Sequence, residues 1–306
     1  MSYNTGIEWT DATWNPVTGC TKVSAGCDHC YAETFAERFR GTPGHYFERG
    51  FDVQLRPNMM ELPLAWRKPK RVFVNSMSDL FHAEVPDLWI AQVWAIMALA
   101  PQHTYQVLTK RHARMRSLLN EPHFWKMVSD LFHGRVGRVD PRRKGLIPGA
   151  VDRPLPNVWL GVSTENQHWA DIRIPALLDT PAAVRFISAE PLLGPINLFG
   201  SYTEPGPAIV RTGVQIQQSG PWGPAEYDYD DQVGIDWVIV GGESGRGARP
   251  MHPDWARSLR DQCTAAGVPF LFKQAGAVLA REWGCHGKGG DPAEWPEPFP
   301  REYPNA

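Results

Sequence analysis

The feature that most constrains this chain is a repeated grammar: a short apolar, β-rich run, then polar or small residues, then a helical pattern. Arg71-Val72-Phe73-Val74 leads into Asn75-Ser76-Met77-Ser78-Asp79 and an apolar helix over about 86–100, with Pro86 suited to its first turn. Thr104-Tyr105-Gln106-Val107-Leu108 leads into Thr109-Lys110-Arg111 and a helix over about 113–119. Asn157-Val158-Trp159-Leu160-Gly161-Val162 leads into Ser163-Thr164-Glu165-Asn166, and Val184-Arg185-Phe186-Ile187 into Ser188-Ala189-Glu190-Pro191. Asp236-Trp237-Val238-Ile239-Val240 leads into Gly241-Gly242-Glu243-Ser244-Gly245 and a helix over 253–266, capped by Gly267. Pro269-Phe270-Leu271-Phe272 then leads into Lys273-Gln274. A further strand over about 9–14 precedes a cysteine-rich loop.

Continuous apolar runs, rather than strict alternation, mark strands buried on both faces and hence a parallel sheet covered by helices. The expected fold class is α/β, a partial TIM-like barrel of six or seven βα units with parallel strands. Polar residues fall where each strand should end, the barrel edge at which chemistry is done. Two segments break the rhythm, about 134–156 (rich in Arg, Gly and Pro) and 199–234 (rich in Gly, Pro, Gln and acids). Both read as insertions in one domain covering 1–283, followed by an irregular tail over 284–306. No run of 18 apolar residues marks a membrane span, and the first residues carry no secretion signal, so the expected location is the cytoplasm.

Three of the five cysteines lie within eleven residues, Cys20 to Cys30, with Cys27 between them. In a chain expected to be cytosolic, that reads as metal binding or catalysis rather than a disulfide framework. Three thiolates hold three irons of a [4Fe–4S] cluster and leave the fourth iron open. The rival is zinc on the same cysteines, closed by Cys263, Cys285, His286 or His29, in a nucleic-acid-binding protein without catalysis. Three cysteines with no metal is the plainest alternative. A metal-dependent hydrolase using Asp79, Glu190 and Glu243 comes last, because no His-x-His pair accompanies those acids.

The stretches Trp14-Asn15-Pro16-Val17-Thr18-Gly19-Cys20, Gly26-Cys27-Asp28-His29-Cys30-Tyr31-Ala32-Glu33 and Gly241-Gly242-Glu243-Ser244-Gly245 resemble a phage- and bacterium-borne three-cysteine phage protein family. A strand, a three-cysteine loop, a helix over about 31–40 and further βα units also resemble the radical S-adenosylmethionine superfamily. That resemblance implies a radical-SAM-like barrel holding a [4Fe–4S] cluster on Cys20, Cys27 and Cys30. It also implies S-adenosylmethionine as cofactor and a reductant such as a flavodoxin or ferredoxin. The cysteine spacing here is six and then two, where the superfamily usually has three and then two.

His29 stands at the position that is usually aromatic and lies by the adenine. The superfamily's glycine-rich motif after the second strand is replaced by Asn75, Ser76 and Asp79, which are candidates for the methionine ammonium. Gly241, Gly242 and Glu243 come too late in the chain to inherit that role, but they suit close approach to a ligand. Ser163, Glu165 and Asn166 are candidates for ribose hydroxyls, Lys110 or Arg111 for the carboxylate, and Glu190 for substrate or cofactor. The reaction implied is reductive cleavage of S-adenosylmethionine and hydrogen abstraction from a substrate.

The phage setting that the resemblance implies makes a nucleotide or nucleic acid a candidate substrate. The net charge of −2 gives no overall basic field. Two local clusters are candidates to meet phosphates: Arg67, Lys68, Lys70 and Arg71, and Arg135, Arg138, Arg142, Arg143 and Lys144.

Overall fold

The computed structural model describes residues 5–137, 150–199 and 234–304. Among these, seven strands form one parallel sheet that curls into a half-barrel. They are β1 (Ala12–Trp14), β4 (Arg71–Val74), β5 (Thr104–Thr109), β6 (Val158–Ser163), β7 (Val184–Ala189), β8 (Trp237–Gly241) and β9 (Phe270–Gln274). Neighbours in space are neighbours in sequence, except that a small antiparallel hairpin, β2 (Val17–Thr18) with β3 (Gln54–Leu55), intervenes after β1.

The connections carry α1 (Tyr31–Glu37), α2 (Leu62–Ala65), α3 (Asp87–Leu99), α4 (His112–Asn120), α5 (Pro122–Val136), α6 (Gln167–Leu178) and α7 (Pro253–Ala266), and α8 (Ala277–Trp283) follows β9. Sequential parallel order is what repeated same-handed crossovers produce, and it brings every strand's C-terminal end to one edge. Most expected elements lie within a residue or two of their expected places. Pro86 is a difference: it is the extended N-cap of α3, not a helical residue. Gly267 ends α7 in the left-handed region, as expected of a C-cap. The expected insertion at 134–156 begins inside α5, and its residues 138–149 lie outside the described residues, as do 200–233 of the second.

Both faces of the sheet are buried. The outer face (Val72, Val74, Tyr105, Val107, Leu160, Val162, Val238, Val240, Phe270, Phe272) packs on the helices, including the almost wholly apolar α3. The inner face carries a separate cluster of large side chains: Trp9, Phe73, Trp159, Phe186, Trp237, Ile239 and Leu271. Ring centroids lie 4.6 Å apart for Trp9 and Phe73, 5.8 Å for Phe186 and Trp237, and 5.9 Å for Trp159 and Trp237. Gly161 makes room for this plug, since a Cβ there would sit 2.4 Å from the Phe186 ring.

The segment after α8 has little regular structure but is firmly packed. Phe299 stacks on Phe272 at 4.3 Å, and Arg301 bridges to Leu271. Trp237 Nε1 donates to the Glu302 carbonyl, the Tyr303 hydroxyl donates to the Glu8 carbonyl, and Arg71 lies over the Tyr303 ring. This segment therefore spans the gap between β9 and the β1–β4 side of the open barrel. No helix among the described residues is long and apolar enough to cross a membrane.

Trp237, fully buried at the centre of the plug, tests this account. Trp237→Ala is expected to lower the unfolding free energy by about 3–5 kcal/mol, read by urea denaturation.

Candidate functional site

The cysteine loop leaves β2 through Gly19, whose φ of 87° and approach to the Asp52 carbonyl (a Cβ would lie 2.1 Å from it) leave no space for a side chain. Gly19 N donates to the Met77 carbonyl and Cys20 N to the Phe51 carbonyl. A single 3-10 turn, Ala25–Cys27, carries Cys27, and Cys30 is the N-cap of α1. Cys20 and Cys30 pack against a small apolar cluster of Ala32, Ala36, Phe47 and Phe51.

Three polar networks tie this loop to the C-terminal edge of the sheet. In the first, Glu165 and Arg173 form an ion pair at 2.7 Å with both side chains fully buried. Glu165 also accepts a hydrogen bond from the Ser24 hydroxyl, and Arg173 donates to the Ser163 carbonyl and lies over the Trp169 ring. Gly26 rests on Glu165 so closely that a Cβ would fall 2.2 Å from its carboxylate.

In the second, Glu243 accepts from Arg249 through its backbone N–H (2.8 Å), Nε (2.9 Å) and Nη2 (2.6 Å), and pairs with His29 Nδ1 at 3.0 Å. Arg249 continues to the Asp28 carboxylate and the Ala25 carbonyl of the cysteine loop. Burial alone would raise the Glu243 pKa, but the hydrogen bonds from Arg249 and His29 outweigh it and hold the group at about 2.

In the third, Arg111 donates to the Thr21 hydroxyl and carbonyl and stands 3.9 Å from Cys20 Sγ. Asp79 anchors this corner by accepting from Thr109 Oγ1, Lys110 N and Phe81 N. Burial, and then the nearby Asp79 charge, push the Cys20 thiol up to about 11.

Between the loop and the aromatic plug lies a cavity of about 430 Å³. Gly26, His29, Cys30 and Tyr31 roof it; Lys110, Ser163, Ser188, Glu190, Gly242, Glu243, Lys273 and Lys288 contribute its polar walls; Ile7, Trp9, Phe73 and Leu108 supply apolar lining. Lys110 Nζ donates to Ser163 Oγ at 3.1 Å, and Lys273 pairs with Glu190 at 3.0 Å. The Tyr31 hydroxyl donates to the Ser76 carbonyl.

Of the residues singled out in the sequence, His29, Cys30, Lys110, Ser163, Glu190, Gly242 and Glu243 meet at this cavity. The others sit around it. Asp79 and Glu165 are buried braces of the loop. Asn166 is the N-cap of α6, accepting from Trp169 N. Ser76 donates to Asn15, and Gly241 leaves room for Glu190, whose carboxylate would lie 2.4 Å from a Cβ there. Asn75 is buried with φ 61°, and neither atom of its side-chain amide has a partner among the described residues. Of the two basic clusters, the first runs up to and includes Arg71, the first residue of β4, at the end of the strand away from the cavity. Of the second, only Arg135 is described, 3.9 Å from Glu61; Arg138, Arg142, Arg143 and Lys144 lie outside the described residues.

Sequence reasoning missed Tyr31, Ser188, Lys273, Lys288, Arg173 and Arg249 as site residues. Lys273 and Ser188 stand at strand ends and were open to the same rule that found Lys110 and Ser163. Arg249 lies six residues beyond Glu243 in one glycine-rich loop, a weak signal. Nothing local marks Lys288 or Arg173.

Among the described residues, no three His, Cys, Asp or Glu side chains converge closely enough to hold a metal ion. Two of the thiols face protein neighbours, Cys20 Sγ contacting the Thr21 carbonyl and Cys27 Sγ lying 4.0 Å from Ser24 Oγ, while Cys30 lines the cavity. The residues named as closing ligands for zinc are engaged elsewhere. Cys263 is buried in the outer core, Cys285 contacts the Glu294 carbonyl, His286 pairs with Glu294, and His29 with Glu243.

A family model described as "Protein of unknown function (DUF5131)" matches residues 4–295. No curated protein and no solved structure matches the chain.

Two outcomes test the bracing of the loop. Arg173→Met strands the Glu165 charge in the interior and is expected to cost about 3–5 kcal/mol in urea unfolding. Because folding depresses the Glu243 pKa from its ordinary 4.5, the stability it contributes is full above 4.5 and is lost as pH falls towards 2. The stability gap between the native chain and Glu243→Gln should therefore narrow across that window in acid titrations followed by circular dichroism.

Proposed function

The chain belongs to the DUF5131 family, whose function is unknown, and from its own site we propose a radical S-adenosylmethionine enzyme that carries a [4Fe–4S] cluster on Cys20, Cys27 and Cys30. The observation that supports this most is the placement of a three-thiol loop over the C-terminal mouth of a curled parallel sheet, with Cys30 on the wall of a ligand-sized cavity. The donor set fits: three thiols on one loop match the ligands of a cluster with one open iron. Among the described residues the three sulfurs do not converge as they stand, so loading a cluster requires each Sγ to turn about its χ1 torsion. Arg111 beside Cys20 offsets part of the burial and Asp79 effects that keep its thiol protonated, and a bound metal would have to supply the rest.

When bound, the reduced cluster supplies one electron to S-adenosylmethionine and, through its cleavage, hydrogen-atom abstraction. The chain's own residues do the aiming. His29 and Tyr31 lie in the roof beside Cys30, where an adenosyl group would pass. Ser163 and Ser188 offer hydroxyls to a ribose, and Lys110 offers a cation to a carboxylate. The aromatic plug closes the barrel below and keeps water from the reacting carbon. A cavity of about 430 Å³ has room for a small molecule or a single nucleotide rather than a duplex. The electron comes from an outside reductant such as a flavodoxin or ferredoxin.

Purification without air, followed by iron and sulfide analysis, is the test. About four irons per chain are expected, with brown colour. The cluster should be lost when Cys20, Cys27 or Cys30 is changed to Ala, and S-adenosylmethionine should be cleaved on addition of dithionite. A colourless protein containing zinc and no iron would replace this reading with the structural one.

A further inference from the structure

The charges around the cavity do not cancel. Glu243 is matched by Arg249, and Glu190 by Lys273. Glu8, which lies near Lys288, is matched by Arg301 at 2.6 Å. Lys110 reaches only a neutral hydroxyl. The Lys288 ammonium has no hydrogen-bond or ion-pair partner among the described residues, although it is half-buried and lines the cavity. Two ammonium groups thus face the interior without a carboxylate of their own. An unpaired buried charge is costly, so a site that keeps one is set to receive the opposite charge from a ligand.

The backbone around Lys288 is built to hold it there. Gly287 and Gly289 flank it with φ of 59° and 64°. Gly289 fits against Ala275 and Ala280 so tightly that a Cβ would lie 2.9 Å from each of their Cβ atoms. Gly276 N donates to the Lys288 carbonyl and Ala275 N to the Gly289 carbonyl, which pins the loop to the end of β9. Burial first, and then the charge of Lys273 on that same strand end, push the Lys288 ammonium below its usual pKa against the smaller opposing pull of Glu8 and Glu190.

We propose that Lys288, supported by Lys273, is an anion-binding pole of the cavity, so that a molecule bound there places a carboxylate or phosphate group on the β9 side. For the reaction this rests on the reading above; for binding it rests on the cavity alone. The anion is supplied either by the substrate or by the carboxylate of S-adenosylmethionine.

Calorimetric titration of the full chain with inorganic phosphate and, separately, with S-adenosylmethionine tells these apart. Lys288→Met is expected to weaken binding of one probe by about ten-fold or more, and Lys288→Arg to restore most of it. Lys126→Met, on the exposed face of α5, should change neither. Loss confined to phosphate assigns the pole to the substrate, and loss confined to S-adenosylmethionine assigns it to the cofactor. Unchanged affinity for both probes in Lys288→Met would overturn the proposal. The melting temperature of Lys288→Met should equal or exceed that of the native chain, because an unpaired charge is removed; a lower one would reveal a structural counter-ion and also overturn it. Iron content should be the same in both proteins, so failure of the cluster reading is seen independently.

Discussion

How far the sheet curls depends on what fills its concave face. Seven parallel strands share one inner surface, and its lower part is taken by indole and phenyl rings that cannot be compressed. Trp9 meets Phe73, Phe186 and Trp237 there, Phe186 meets Trp237, and Gly161 is bare because Phe186 needs its space. Nearer the C-terminal edge the inner residues shrink to Ser163, Ser188, Gly241 and Gly242. The strands keep their spacing while the side chains shorten, and the difference is the cavity. Core and site are thus two parts of one surface, divided by residue size.

The cysteine loop has little regular structure of its own, yet it is held at three points by charged groups. A buried pair such as Glu165 with Arg173 adds little net stability compared with apolar packing, but it tolerates little displacement. Gly26 pressed against Glu165, and Arg249 reaching both Glu243 and the Ala25 carbonyl, give the loop one position above the mouth.

Much of the fold was legible in the chain because the strand runs are continuous and their ends are punctuated by polar residues. The starts of β4, β5, β6, β7, β8 and β9 fall within a residue of where the apolar runs begin. What such runs do not carry is which face holds which residues. Val158 and Trp159 are equally apolar, and only the barrel geometry turns Trp159 inward. The site was legible where a residue's place at the cavity follows from its strand-end position, as for Lys110, Ser163 and Glu190. It was not legible where the role depends on a distant partner. Glu165 and Asp79 look like free ligands in the sequence, but Arg173 and Thr109 occupy them. Lys288, in a glycine-rich stretch that reads as an irregular tail, reaches the cavity only because that stretch packs back on β9.

Among the described residues the chamber is bounded below by aromatic rings and above by the three-thiol loop, with Cys30 and Tyr31 in its wall. Its depth is therefore set by the small side chains at the strand ends, and a bulky residue in place of Ser163 or Ser188 would raise the floor without touching the loop overhead.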